Sequence, residues 1–288
     1  MTVTVLCVGL TTIDLVYQGV DGLIAGAKAQ AQSMTLSSGG PAANAAIAAA
    51  DLGAAVTLCS CVGGDQFGDL AREQVARHGV HLLAANSESI PISTVLIASD
   101  GERSVVSANG GGHRPDAPVG LARQAAAADV VLVDGHYPEL ARCALEAART
   151  AERPTVIDLG SWKPELPSLL PLCDLAIASA DFTVPEGEVV STLFEHGVSF
   201  VAISNGGSPL TWHSSNGSSE TVTIPDVDVV ATNGAGDVLH GAFANFIAHG
   251  DGPVEALRKA VMFASASCTH WPARIPSHLL ATTDSGDA

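Results

Sequence analysis

The chain has 288 residues, of which 47% are hydrophobic and 15% charged, and its net charge is −17 at neutral pH. That length suits one large α/β domain or two small ones, and the acidic balance argues against nucleic acid or an anionic membrane as a partner. Any phosphorylated ligand must then be held by local groups, with help from metal cations. No leader of charged then apolar residues follows Met1 and no apolar run nears twenty residues, which predicts a soluble, cytoplasmic protein. Cys7, Cys59, Cys61, Cys143, Cys173 and Cys268 lack paired metal-type spacing and read as free thiols, most of them buried.

Residues 2–10 are a short apolar run with Gly9 near its end, read as a buried central strand. Asp14 follows just past that end, where open α/β sheets bind their ligands. It reads either as an acceptor for substrate hydroxyls or as a turn cap. Residues 15–37 carry short mixed segments with Gly19, Gly22 and Gly26, and read as strand pieces outside the main core. Lys28 within them is one of only 13 basic residues. Ser38-Gly39-Gly40-Pro41-Ala42-Ala43-Asn44 then opens an alanine-rich helix to about Gly53, with proline suited to the first turn. Asn44 falls mid-helix, where its amide competes with the backbone, so a ligand contact suits it better than filler.

A strand is expected over 54–62 and a helix over 69–78. Two alternating runs, 93–98 and 103–107, flank Asp100-Gly101, a hairpin signal. This hairpin is expected to join 15–37 in one small sheet, with Asn109-Gly110-Gly111-Gly112 as a hinge. Beyond Asp116, helices over 116–127, 138–151 and 187–196 alternate with strands over 130–133, 155–157, 175–178 and 200–203. Asp158 stands at one strand end. A hairpin over 209–213 and 219–224 precedes two last helices, 236–249 and 253–268. Alternation of this kind predicts a doubly wound α/β fold, a mostly parallel sheet with helices on both faces. The expected organisation is one domain over 1–288 with a small β-sheet lid from about 15–37 and 92–108.

The organising stretch is 229–250, which contains Asn233-Gly234-Ala235-Gly236-Asp237 followed by an apolar pattern of helical period. Glycine lets the backbone approach a ligand closely. The first amides of a helix are unpaired and favour an anion. A carboxylate in that first turn can take a proton from an attacking hydroxyl. The stretch reads either as an anion cradle with a general base or as a glycine-rich turn capped by Asp237. No Gly-x-Gly-x-x-Gly follows the first strand, which sets aside a nicotinamide-binding dehydrogenase.

Two glycine-rich motifs in this order, with a hairpin between them, resemble the ribokinase-like (PfkB-type) carbohydrate kinases over essentially the whole chain. The early motif is Ser38 to Asn44, continued by Val62-Gly63-Gly64-Asp65-Gln66-Phe67-Gly68. The late one is Ala231-Thr232-Asn233-Gly234-Ala235-Gly236-Asp237. The resemblance implies an ATP-dependent sugar kinase with Asp237 as base and the amides of Gly234, Ala235 and Gly236 as anion hole. It implies sugar contacts at Asp14, Gly39, Gly40 and Asn44. It implies nucleotide contacts at Ser204-Asn205-Gly206, Asn233, Gly234 and Gly236. It also implies Mg2+ as cofactor and a homodimer built through the lid.

The resemblance has gaps. The Asn-x-x-Glu pair that organises magnesium in many members corresponds to Ser179-Ala180-Asp181-Phe182, which shifts metal binding onto Asp181 and Asp158. The late motif usually begins Asp-Thr-Thr. The loop over 268–276 lacks the usual glycine, so a potassium site does not carry over. Lys28 and Arg274-Ile275-Pro276 are most similar to the ketose branch that includes sulfofructose kinases, where a lysine holds the sulfonate and His136 stands in place of an assisting arginine. A ketose or ribose is the expected acceptor. A nucleoside kinase, or a sensor of sugar or nucleotide with impaired catalysis, is the alternative.

Overall fold

The computed structural model describes residues 2–99, 103–107, 114–270 and 274–280. Among these, the chain order is β1 (Thr4–Val8), β2 (Thr12–Gln18), β3 (Ser33–Gly39), α1 (Pro41–Asp51), β4 (Ala55–Cys61), α2 (Gln66–Arg77), β5 (His81–Ala85), β6 (Ile92–Ile97) and β7 (Arg103–Ser107). There follow α3 (Leu121–Ala127), β8 (Val130–Val133), α4 (Pro138–Thr150), β9 (Thr155–Leu159), α5 (Leu166–Leu169), β10 (Leu175–Ser179), α6 (Val189–Glu195) and β11 (Phe200–Asn205). The last are β12 (Ser208–Ser214), β13 (Ser219–Val222), α7 (Ala235–Ala248), α8 (Pro253–Ser267) and α9 (Ser277–Leu280). The turn at Asp100-Gly101, the hinge at 109–112 and Trp271 to Ala273 lie outside the described residues.

The main sheet has the order β13-β12-β11-β10-β9-β8-β1-β4-β5. It is parallel except for the antiparallel β12 and β13 at one edge. Alternation along each inner strand divides the core in two. Val5 and Cys7 face α1, α7 and α8, while Leu6 and Val8 face α3 and α4. Both faces of these strands are covered, which is why 130–133 reads as an unbroken apolar run. Among the described residues, no helix is long and apolar enough to cross a membrane.

The second sheet has the order β3-β2-β6-β7. β2 pairs antiparallel with β3 and parallel with β6, and β6 pairs antiparallel with β7. The hairpin and residues 15–37 thus do meet in one small sheet, but its first strand begins at Thr12. Asp14 is therefore a member of the small sheet, opposite Ser37 and Ser93, rather than a turn residue after β1. Two other expectations need correction. The edge strand β5 was not expected, because His81-Leu82-Leu83-Ala84-Ala85 gives no clean alternation. Helix α3 starts at Leu121, not 116, because Gly120 before it adopts a left-handed conformation (φ 98°).

Candidate active site

Successive strands are added on one side of β1 as far as β5, and on the other side from β8 onward. The carboxyl ends of β1 and β8 thus flank a switch point, the usual ligand crevice of such sheets. Asp134 occupies it. Its Oδ2 accepts from the backbone N–H groups of Leu10 (2.8 Å) and Ala42 (3.3 Å), and its Oδ1 from that of His136 (2.9 Å). Any side chain at Gly9 would overlap this carboxylate. Burial opposes ionisation of Asp134, but the His136 imidazole, 3.2 Å from Oδ1, outweighs it and holds the carboxyl below its usual range. Asp134 therefore pins the end of β1 to the start of α1. His136, expected at the sugar, is placed against Asp134.

Helices α1 and α7 carry the centre of the site. Asp237 lies in the first turn of α7, behind Gly234, whose φ of 89° makes the left-handed entry. Its Oδ2 accepts from Asn44 Nδ2 of α1 at 2.7 Å. Asn44 Oδ1 accepts in turn from Arg274 Nη1 at 3.1 Å. Burial, and then the charge of Asp158, push the Asp237 carboxyl up to about 7. Asp14 approaches from the small sheet, its Oδ1 accepting from Thr12 Oγ1 at 2.7 Å. Burial raises its pKa against the pull of Thr12, Ser93 and Arg274. Gly39 and Gly40 make these approaches possible: a Cβ on Gly39 would overlap the Asp14 carboxylate, and one on Gly40 the Leu10 carbonyl.

The cradle ahead of Asp237 is only partly open. The Ala235 amide donates within the turn to Thr232 O at 3.2 Å, while those of Gly234 and Gly236 have no backbone acceptor among the described residues. Asn233 Oδ1 accepts from Arg103 Nη1 at 3.2 Å, a direct contact between the small sheet and the cradle. Ser204 near the end of β11 donates to Ala178 O at 3.3 Å, while Asn205, the last strand residue, and Gly206 in the turn after it are exposed. Lys28 is exposed in the segment between β2 and β3.

The expected metal residues separate. Asp158 at the end of β9, Asp237 and His240 can each offer one atom to a shared point, all three within 4.8 Å of one another. His240 Nε2 is 3.5 Å from Asp158 Oδ1 and 3.3 Å from Ile177 O. Asp181 is exposed in the turn after β10 and is not one of this group. The two carboxylates suit Mg2+, which keeps its waters and takes one or two carboxylates plus phosphate oxygens. The imidazole does not belong to that donor set.

Several of these groups escape a reading of the sequence. His240 sits three residues after Asp237 and so on the same helical face, a spacing that could have revealed it. Arg274, Asp134 and Lys163 carry no such signal. Lys163 reaches Asp134 and Asp158 electrostatically and pulls both carboxyls downward, though burial leaves that of Asp158 raised.

The first turn of α7, with Asp237 behind Gly234 and Gly236, and Asn44 of α1 thus form one polar cluster. Residues 3–278 match the model of the pfkB family of carbohydrate kinases, and the chain belongs to that family. It is a phosphotransferase with an alcohol acceptor. It is 26% identical to a ribokinase of Haemophilus influenzae over 261 residues, covering 83% of each chain. It is 28% identical to a ribokinase of Bacillus subtilis over 276 residues, covering 90% of this chain and 91% of that one. In three dimensions it is similar to the Arabidopsis thaliana ribokinase solved with ribose and ATP, with a TM-score of 0.84, 22% identity and full coverage of both chains.

Proposed function

We propose that the protein transfers the γ-phosphoryl group of ATP to a primary hydroxyl of a small sugar, ribose or a ketohexose, with Asp237 as general base. The observation that carries this reading is the Asn44–Asp237 hydrogen bond. It fixes a carboxylate of raised pKa beside free helix amides, at the meeting of the two motif-bearing helices. A base with a pKa near the working pH combines ionisation with proton affinity.

The sugar lies between Asp14 and Asn44, under the small sheet. Its hydroxyl gives its proton to Asp237 as the new O–P bond forms and the bond to the β-phosphate oxygen breaks. The Gly234 and Gly236 amides receive the charge that builds on the phosphoryl oxygens. ATP lies along the carboxyl ends of β10 and β11, with Ser204, Asn205 and Gly206 beside it. Bound Mg2+ would neutralise phosphate charge, and Asp158 is the residue placed to hold its waters. Two copies pair through the small sheet, whose edge strands β3 and β7 expose Met34, Val105 and Val106. The six free cysteines suit the reducing cytoplasm.

A panel with D-ribose, D-fructose, D-tagatose, sulfofructose and adenosine as acceptors, read by ADP release, tests the assignment. Release with a sugar that vanishes in Asp237→Asn supports it. Release with adenosine alone, or unchanged turnover in the variant, overturns it. Scattering that fits a single chain in solution overturns the dimer.

A further inference from the structure

Arg274 follows α8 in the chain, and its guanidinium reaches Asn44 of α1. Burial draws its pKa below the ordinary arginine value, against the pull of Asp51, Asp237 and Asp14. Its place in the network is specific: Nη1 donates to Asn44 Oδ1 at 3.1 Å, and Asn44 Nδ2 donates to Asp237 Oδ2 at 2.7 Å.

An arginine offers donors only, and an ionised carboxylate acceptors only. An asparagine amide held between them has one satisfactory orientation. Rotated by half a turn, it would set its NH2 against a cation and its oxygen against an anion. Both hydrogen bonds are charge-assisted, the stronger kind.

We propose that Arg274 is a positioning residue for phosphoryl transfer, locking the amide of Asn44 so that Nδ2 grips Asp237 by Oδ2 and leaves Oδ1 aimed at the acceptor hydroxyl. The inference rests on the reading of Asp237 as the base. Arg274 acts through Asn44 and does not touch the sugar. Removing it frees the amide to turn, and the carboxylate then loses both its tether and its aim. The loss falls on the chemical step and spares acceptor binding.

The test compares Arg274→Met, Arg274→Lys, Asn44→Ala, the Met/Ala double variant and Asp237→Asn, using the panel sugar that gives the fastest ADP release. Arg274→Met is expected to lower kcat about ten- to a hundredfold, the worth of a hydrogen bond to a charged group. KM for the sugar stays within about twofold. Arg274→Lys, still a pure donor, recovers most of the loss, and it decides the matter if the Met variant fails to fold. In the Asn44→Ala background Arg274→Met costs little more, because groups acting as a unit are not additive. A second readout needs no sugar: the side-chain amide resonances of Asn44, in 15N-labelled protein, shift in Arg274→Met as they do in Asp237→Asn. Additive losses, a raised KM with kcat preserved, or unmoved Asn44 resonances would overturn the inference. If Asp237→Asn keeps full turnover, the reading of the base itself falls. If that variant is dead while the other losses add, only the role of Arg274 falls.

Discussion

Gly241 of α7 rests directly on the backbone of Ala45 in α1, so closely that a Cβ would overlap the Ala45 carbonyl. This crossing sets the distance between the helices that carry Asn44 and Asp237. Asn44 is the residue before Ala45, and Asp237 lies about one turn before Gly241, so the contact fixes their 2.7 Å hydrogen bond. Gly241→Ala is expected to wedge the helices apart. Overpacking of this kind costs about 1–3 kcal/mol, seen as a melting temperature lowered by several degrees. Turnover falls further than the lost stability accounts for, because the base loses Asn44. Thermal melts and kinetics on the same preparation check both.

The raised pKa of Asp237 predicts two pH effects. With Asp237 as the proposed base, catalysis needs the ionised form, so kcat/KM rises with pH through an apparent pKa of about 7. Stability moves the other way. Between the ordinary carboxyl value of 3.8 and about 7 the folded protein binds the extra proton, so stability falls as pH rises through that window. Asp237→Asn removes the penalty. It is expected to melt above the wild type at pH 8, with the gap closing toward pH 4, while kcat drops by at least about 100-fold. A variant that melts at or below the wild type at pH 8 contradicts the burial argument.

Gly236 separates folding from function. A Cβ there meets nothing within 4 Å, and its φ is not left-handed, so the fold does not require glycine. Gly236→Ala should keep its melting temperature within about 1 °C, since such exposed changes fall within ±0.5 kcal/mol. On the proposed reading the added methyl occupies the approach of the phosphoryl group. A fall in kcat of about 100-fold is expected, comparable to losing one donor to the developing charge. Full activity in this variant would place the phosphate elsewhere.

Arg103 joins β7 to the cradle through Asn233 Oδ1 at 3.2 Å. The contact is exposed and adds little to stability. Its expected service is to hold the small sheet over the cleft. Arg103→Ala should leave the melting curve unchanged and raise KM for the acceptor several-fold. Slow ATP hydrolysis without acceptor should also rise, because water enters a cleft that closes less well. Steady-state kinetics with and without sugar distinguish this from a purely structural role.

Much of the fold is legible in the residue pattern because period and burial agree. Val130 to Val133 is apolar on both faces and can only be an inner strand. Asn44 and Asp237 are legible because each breaks a local rule, an amide amid alanines and an acid behind two glycines. Asp14 is noticed but wrongly housed, since nothing local tells a strand of a second sheet from a turn. Asp134 stays hidden, and Arg274 is noticed only within Arg274-Ile275-Pro276, with no hint of its partner Asn44. Each matters through partners far away in sequence, Asn44 at a separation of 230 residues for Arg274, and Leu10 at 124 for Asp134. Such pairings exist only once the sheet has brought strand ends together.

Asn44 and Asp237 are 193 residues apart, and α1 buries Ala42, Ala43, Ala45, Ala46, Ile47, Ala48 and Ala49. During synthesis this helix emerges early and waits for its partner α7 until nearly the whole chain has been made. A ribosome that stalls before that point releases a protein with a bare, sticky alanine flank and no tethered base. Such a fragment is a client for chaperones or for clumping, and it cannot squander ATP as a half-built kinase.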